Sequence, residues 1–176
     1  MKRRRIAAAV CLFSVIAAPG AAHLAGLRIN RSPSIPLGFY WLAGGEYGKG
    51  DFVVACPPVS PVYEMAKERG YINAGFCPGA YSTLMKRIEA VHGDTVAFAK
   101  EGVQVNGHLL PMSLAMSADP SKRPMPQLGD MEHVLGSSEV LLMGSGPGAA
   151  ISFDSRYVGV FDRALILGKI RPLLTW

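Results

Sequence analysis

From Asp51 onward the chain is a series of short apolar, β-branched runs, and each one stops at a turn signal. "DFVVAC" (Asp51–Cys56) ends at Pro57-Pro58, and "STLMKRIEAV" (Ser82–Val91) ends at "HGD". "TVAFA" and "VQVNG" flank "KEG" as the arms of a hairpin would, and "EVLLMG" stops at Gly144. "RYVGVF" and "ALILGKI" close the series. Short runs with this punctuation predict a mainly β domain. One helix is expected inside it. Ser60 stands at an N-cap position, Pro61 opens the helix where its missing N–H costs nothing, "VYEMAKER" follows, and Gly70 suits the left-handed position after the last turn. A second insertion, Ser113–Gly136, is rich in Pro, Ser and Met and reads as a long loop with little regular structure.

The N-terminus sets the compartment. "MKRRR" precedes an apolar run that begins at Ile6 and is interrupted by Pro19-Gly20. Basic residues stay on the cytoplasmic side, so the chain that follows is expected to be exported. Two readings of residues 1–27 stay open. A cleaved signal peptide would use the small residues near Gly20 to Ala22. An uncleaved anchor would use Ile6 to Leu27, near the roughly 20 residues that span a bilayer. Either way residues 28–176 form the exported domain, large enough to bury a core of its own.

Charge agrees with export rather than with nucleic acid. The formal net charge is +5, and Lys2 with Arg3 to Arg5 supply four of the 18 basic residues. The other 14 face 13 acidic ones, and no RNP-like motif, zinc-finger spacing or basic stripe is present. Cys56 and Cys77 are the two thiols of the exported part, and in an oxidising compartment a disulfide is expected of them. The alternative is two separate buried thiols.

No metal or cofactor signature is found. His23, His92, His108 and His133 lack HExxH or paired-ligand spacing, and neither a GxSxG elbow nor a phosphate-binding glycine loop occurs. "GSGPG" (Gly144–Gly148) follows a strand and reads as a flexible turn. What remains is serine with a base other than histidine. Lys86 is the candidate: period-2 alternation puts Leu84, Lys86 and Ile88 on one face. A lysine buried there loses its hydration, its pKa falls, and the neutral amine can take a proton from serine. On pattern alone "SPSIP" (Ser32–Pro36) is a stiff neck leaving the membrane. For chemistry, Pro33 lacks an N–H, so the oxyanion donors would be the Ser34 N–H and the Ser32 hydroxyl.

Four blocks, in order, resemble the signal peptidase I superfamily of Ser-Lys proteases, and more closely its TraF-type branch of conjugative-transfer peptidases. "NRSPSIPLGFYW" is similar to that branch's nucleophile block, where the serine precedes x-Pro-x-Gly-x-Tyr. The resemblance implies Ser34 as nucleophile and Ser32 as oxyanion partner. "GDFVVACPP" is similar to the family's Gly-Asp strand, and "MKRIEAVHGDTV" to its "KRVxGxPGD" block, which implies Lys86 as general base. "SFDSRYVG" is similar to "SxDSRxxG". It implies that Ser152 orients the lysine amine and that Asp154 and Arg156 hold the site as an ion pair, the aspartate itself being linked to activity. "GSGPGAA" stands where the family has "GDN", His92 replaces a proline, and Pro36 follows Ser34 by two residues where leader peptidases have three. These departures favour the TraF-type branch.

The expected protein is therefore a signal peptidase-like, β-rich serine peptidase. It sits in the periplasm, at or anchored to the inner membrane, and needs no cofactor. Its substrate would be a pilin precursor, trimmed at its C-terminus and joined into a ring. Its other partners would be the inner-membrane lipid surface and further mating-pair formation proteins, with no nucleic acid. Ile35, Leu37, Phe39 and Trp41 are placed to dip into that lipid surface, or are core residues. A leader-type peptidase releasing linear products and a non-enzymatic pilus-assembly factor are the alternatives.

Overall fold

The computed structural model describes Ala18 and residues 20–176. Most of the expected signal or anchor segment, residues 1–27, lies outside the described residues. Residues 20–25 are helical, and no described helix is long and apolar enough to cross a membrane.

The chain is mainly β, as its turn-punctuated runs predict. A seven-stranded antiparallel sheet has the order β1-β2-β12-β3-β5-β10-β11. Its strands are β1 (Leu27–Asn30), β2 (Gly38–Ala43), β3 (Phe52–Ala55), β5 (Leu84–Ala90), β10 (Glu139–Met143), β11 (Phe161–Asp162) and β12 (Ile166–Thr175). A second sheet, β8-β7-β6-β9, is built from β6 (Thr95–Ala99), β7 (Gly102–Val105), β8 (His108–Leu109) and β9 (Met131–Val134). The β6–β7 hairpin is the one read around "KEG". β10 shows why its sequence is a continuous apolar run. Val140 and Leu142 point into a core with Tyr63, Ile88 and Phe153, while Leu141 and Met143 point into another with Val96, Phe98 and Leu135. Both faces are covered, so neither needs polar residues.

Between β3 and β5 lies the helical insertion. Helix α1 (Pro61–Glu68) starts at Pro61, and Gly70 takes φ 75° after its last turn. Ser60 occupies the N-cap position, but its hydroxyl makes no capping hydrogen bond and is buried without a partner. The Ser60 carbonyl instead accepts from Tyr63 and Glu64. Strand β4 (Ala74–Cys77) returns the chain, and Cys56 and Cys77 are joined in a disulfide with Cα atoms 5.5 Å apart.

One expectation is corrected and two are sharpened. "RYVGVF" is not a strand: Ser155–Val158 form a one-turn helix, α2, before β11. The aromatic, β-branched composition reads as β, but the Asp154 carboxylate accepts from the Arg156 N–H and starts a helix that Gly159 ends at φ 79°. The Ser113–Gly136 insertion has the little regular structure expected of it, its one strand being "MEHV", which pairs with β6 as β9. Of the two readings left open for Ile35, the core one holds: it is fully buried with Tyr40, Val54 and Ile170, whereas Trp41 is exposed.

The disulfide closes a loop over a sequence separation of 21 residues. Loss of that crosslink frees the unfolded chain and lowers stability by about 3 kcal/mol. The Cys56→Ser/Cys77→Ser protein should show this loss in urea unfolding, and dithiothreitol should reproduce it in the native chain.

Candidate active site

Ser34 sits in the tight connection between β1 and β2, and nearly every carbonyl of that connection is taken. Buried Asn30, at the end of β1, donates through Nδ2 to the carbonyls of Ser32 (2.7 Å), Ile35 (3.0 Å) and Pro36 (2.9 Å). Its Oδ1 accepts from the Ser32 N–H at 3.1 Å. Tyr40 Oη donates to the Pro36 carbonyl at 2.6 Å, and the Trp176 N–H to that of Leu37 at 3.1 Å. The N–H groups of Ser145 and Gly146 meet the Ser34 carbonyl at 2.7 and 2.9 Å, and that of Gly148 meets Pro33 at 2.8 Å. Fixing the carbonyls fixes the peptide planes, and with them the direction of the Ser34 side chain.

Those last three bonds come from "GSGPG", which is therefore no free-swinging turn but the buttress behind Ser34. A Cβ on Gly146 would lie 2.5 Å from the Ile35 carbonyl carbon and 2.6 Å from the Pro33 oxygen. One on Gly148 would lie 2.6 Å from Pro33 Cγ. One on Gly144 would lie 2.6 Å from Ser152 Cβ and 3.1 Å from the Ser34 oxygen. The serine turn and Ser152 approach these positions too closely for any side chain, which is the reason for glycine here.

Lys86 arrives from the other side. β5 pairs with β3, Val53 opposite Lys86, and the burial pattern alternates so that Leu84, Lys86, Ile88 and Ala90 all face inward. Lys86 is 5 % exposed, and its Nζ donates to Ser152 Oγ at 2.9 Å. Burial pushes its pKa down from 10.5 to about 8; the Asp154 carboxylate pulls the other way, and the Arg156 guanidinium adds to the lowering. Roughly a tenth of such an amine is neutral at pH 7.

Asp154 and Arg156 are buried to the same degree and form a charge-assisted pair. Arg156 Nε donates to Asp154 Oδ1 at 2.8 Å and Nη2 to Oδ2 at 3.0 Å. Asp154 Oδ2 also accepts from the Gly144 N–H at 2.8 Å. The rest of the guanidinium donates to the carbonyls of Met112, Leu114, Ala149 and Ala150. A buried pair survives only when its remaining hydrogen-bond capacity is met, and here it is met by backbone.

The six residues singled out in the sequence thus converge. Ser32 Oγ donates to Ser34 Oγ at 3.1 Å and accepts from the Ser34 N–H at 3.4 Å. Ser152 and the Ser34 backbone face each other across Gly144. Ser34 and Lys86 are not directly bonded: among the described residues Nζ donates to Ser152, and Ser34 Oγ accepts from Ser32. Sequence reasoning missed Asn30 and the three glycines. Asn two residues before a serine is a turn-forming signal, and alternate glycines signal close backbone approach.

A buried lysine whose amine is held by a serine hydroxyl, an acid–arginine pair near it and a rigid serine turn accord with a serine peptidase. Residues 3–176 match the family of signal peptidases, peptidase S26, and the chain belongs to that family. Within it, the chain falls among the TraF proteins. A plasmid transfer protein TraF of Escherichia coli is 50% identical over 157 residues, covering 89% of this chain and 88% of that one. A second of the same name and organism is 47% identical over 175 residues, covering 98% and 97%. A probable conjugal transfer protein TraF of Sinorhizobium fredii is 36% identical over 158 residues, covering 89% and 81%. A signal peptidase I from Enterococcus faecalis superposes with a TM-score of 0.40 at 16% identity, over 73% of this chain and 100% of that chain.

Two outcomes follow from the packing. The unfolded chain holds the Lys86 proton up to pH 10.5 and the folded chain only up to about 8. Below 8 this opposes folding by on the order of 3 kcal/mol, and the penalty fades as pH rises toward 10.5. Lys86→Met should therefore be more stable than the native protein in urea unfolding at pH 7, with the advantage shrinking in alkali. Gly146→Ala should cost about 1–3 kcal/mol through overpacking. Gly44→Ala, whose Cβ meets nothing within 4 Å, should change stability little.

Proposed function

We propose that this protein is a Ser-Lys endopeptidase and acyltransferase of plasmid conjugation, with Ser34 as nucleophile and Lys86 as general base. One observation carries the reading: the Lys86 amine is desolvated, lowered toward neutrality and held by Ser152, across Gly144 from the rigid turn that carries Ser34. A lysine exposed to water would be protonated and inert as a base.

Neutral Lys86 swings from Ser152 toward Ser34 and takes its proton as Ser34 Oγ attacks a substrate carbonyl. Catalytic hydrogen bonds often close only in the substrate complex, which accords with the resting arrangement. The oxyanion then replaces the contact that the Ser34 N–H and Ser32 hydroxyl make with each other. The protonated lysine gives its proton to the leaving amine, and an acyl-enzyme remains on Ser34. Ser152 and the Asp154–Arg156 pair keep the amine aimed. The acyl group passes to water, or to the substrate's own N-terminus when that amine is held at high effective concentration.

The relatives' role in plasmid transfer supports a pilin precursor as substrate and other mating-pair formation proteins as partners. The basic, apolar N-terminus supports a place for the exported domain, residues 28–176, in the periplasm at or anchored to the inner membrane.

The test is mass analysis of the pilin precursor incubated with the full-length protein across pH. Trimming should rise with pH and level off above about 8, as the neutral fraction of Lys86 saturates. Ser34→Ala and Lys86→Ala should each abolish it. A product lighter by one water than the trimmed linear chain means a ring, and a linear product means a leader-type peptidase. Unimpaired processing by both variants would refute the dyad.

A further inference from the structure

A groove of ≈ 700 Å³ is enclosed by Ala18, Ala22 and His23 of the N-terminal segment, by β1 with Arg31, and by the start of β5. Leu27, Ile29 and Met85 give it apolar walls, Thr83 adds a hydroxyl, and Arg28 and Arg31 supply its charge. It lies beside the segments that carry the reacting groups: Arg31 stands three residues before Ser34, and Met85 neighbours Lys86 in β5 with its side chain on the opposite face. β1 is the edge of its sheet and pairs with β2 alone among the described strands.

The charge in this groove is unbalanced. No lining residue is acidic. Arg28 donates to the carbonyls of His23 at 2.8 Å and Leu27 at 3.0 Å, neutral acceptors that leave its charge uncompensated. Arg31 is exposed and makes no side-chain hydrogen bond or ion pair with the described residues. The remaining residues cannot supply a counter-ion from nearby sequence, because the first acidic side chain in the chain is Glu46. Some cations elsewhere are matched, as in Arg87–Glu89, Arg123–Asp119 and Lys169–Asp51, while Arg69 and Arg163 donate to carbonyls. An arriving carboxylate would therefore break no existing ion pair, and the low-dielectric walls strengthen its attraction to the two guanidinium groups.

We propose that this groove receives the peptide substrate and selects for acidic side chains close to the scissile bond, with Arg28 and Arg31 as specificity-determining residues. The proposal rests on the peptidase reading above. A peptide is favoured over a lipid headgroup because the cations lie along an unpaired strand edge that runs into the serine turn.

The test uses the full-length chain in neutral detergent and three Ala-rich fluorescent peptides alike except for Glu, Gln or Lys at the same positions. Binding is read by anisotropy on the Ser34→Ala protein, and cleavage on the native protein by mass. If the native protein cleaves none of them, the peptidase reading is at fault, while the binding arm still decides the groove. The Glu peptide should bind about fivefold to tenfold more tightly than the Gln peptide at low salt, the ratio shrinking in high salt. Adding Arg31→Glu should invert the order so that the Lys peptide binds best, an outcome that misfolding does not produce. Equal binding of the Glu and Gln peptides would overturn the proposal, as would a preference that survives Arg28→Ala with Arg31→Ala. So would variants that lose binding to phosphatidylglycerol vesicles while keeping the peptide ratio, since the cations would then serve the lipid.

Discussion

Arg156 cannot leave the interior without unfastening three segments. Its guanidinium holds the Asp154 carboxylate, two carbonyls of the Ser113–Gly136 insertion's leading edge, Met112 and Leu114, and the Ala149–Ala150 turn. Asp154 in turn starts α2 and anchors Gly144. Gly144 opens the glycine segment that locks the Ser34 turn, and Ala149 leads into Ser152, which holds Lys86. Breaking such a pair by removing one partner strands a buried charge and is strongly destabilising. The ion pair is thus the common root of the serine's rigidity and the lysine's aim.

The same pair sets the electrostatic balance at Lys86. Burial lowers the amine's pKa, Asp154 raises it and Arg156 lowers it. A lone carboxylate there would hold the lysine protonated. With the arginine beside it, the pair presents little net charge, and desolvation decides. Geometry and basicity therefore have one source, and a change at Arg156 would disturb both.

Much of this was legible from the residues. The alternation of Leu84, Lys86 and Ile88 foretold a buried lysine, because period-2 patterning reports which face is inside. Pro61 and Gly70 marked the ends of α1 for steric reasons that context rarely overrides. Other features depended on tertiary contacts. "RYVGVF" carries strand-like residues, yet the Asp154 cap and the Arg156 ion pair made its first part helical. "GSGPG" looked like slack, and only the Ser34 turn packed against it shows why each glycine is needed. Ser60 had the chemistry of a cap, but its hydroxyl is buried and makes no capping hydrogen bond. Asn30 was passed over because its four hydrogen bonds go to backbone groups of the turn between β1 and β2, which the residue types alone do not announce.

The central claim is that the fold keeps a buried lysine near neutrality beside a fixed serine. The most direct measurement is an NMR titration of the Lys86 side chain, with isotope at the ε position and assignment by Lys86→Met. The account predicts a midpoint at about 8. A midpoint at the ordinary lysine value of 10.5 would contradict it.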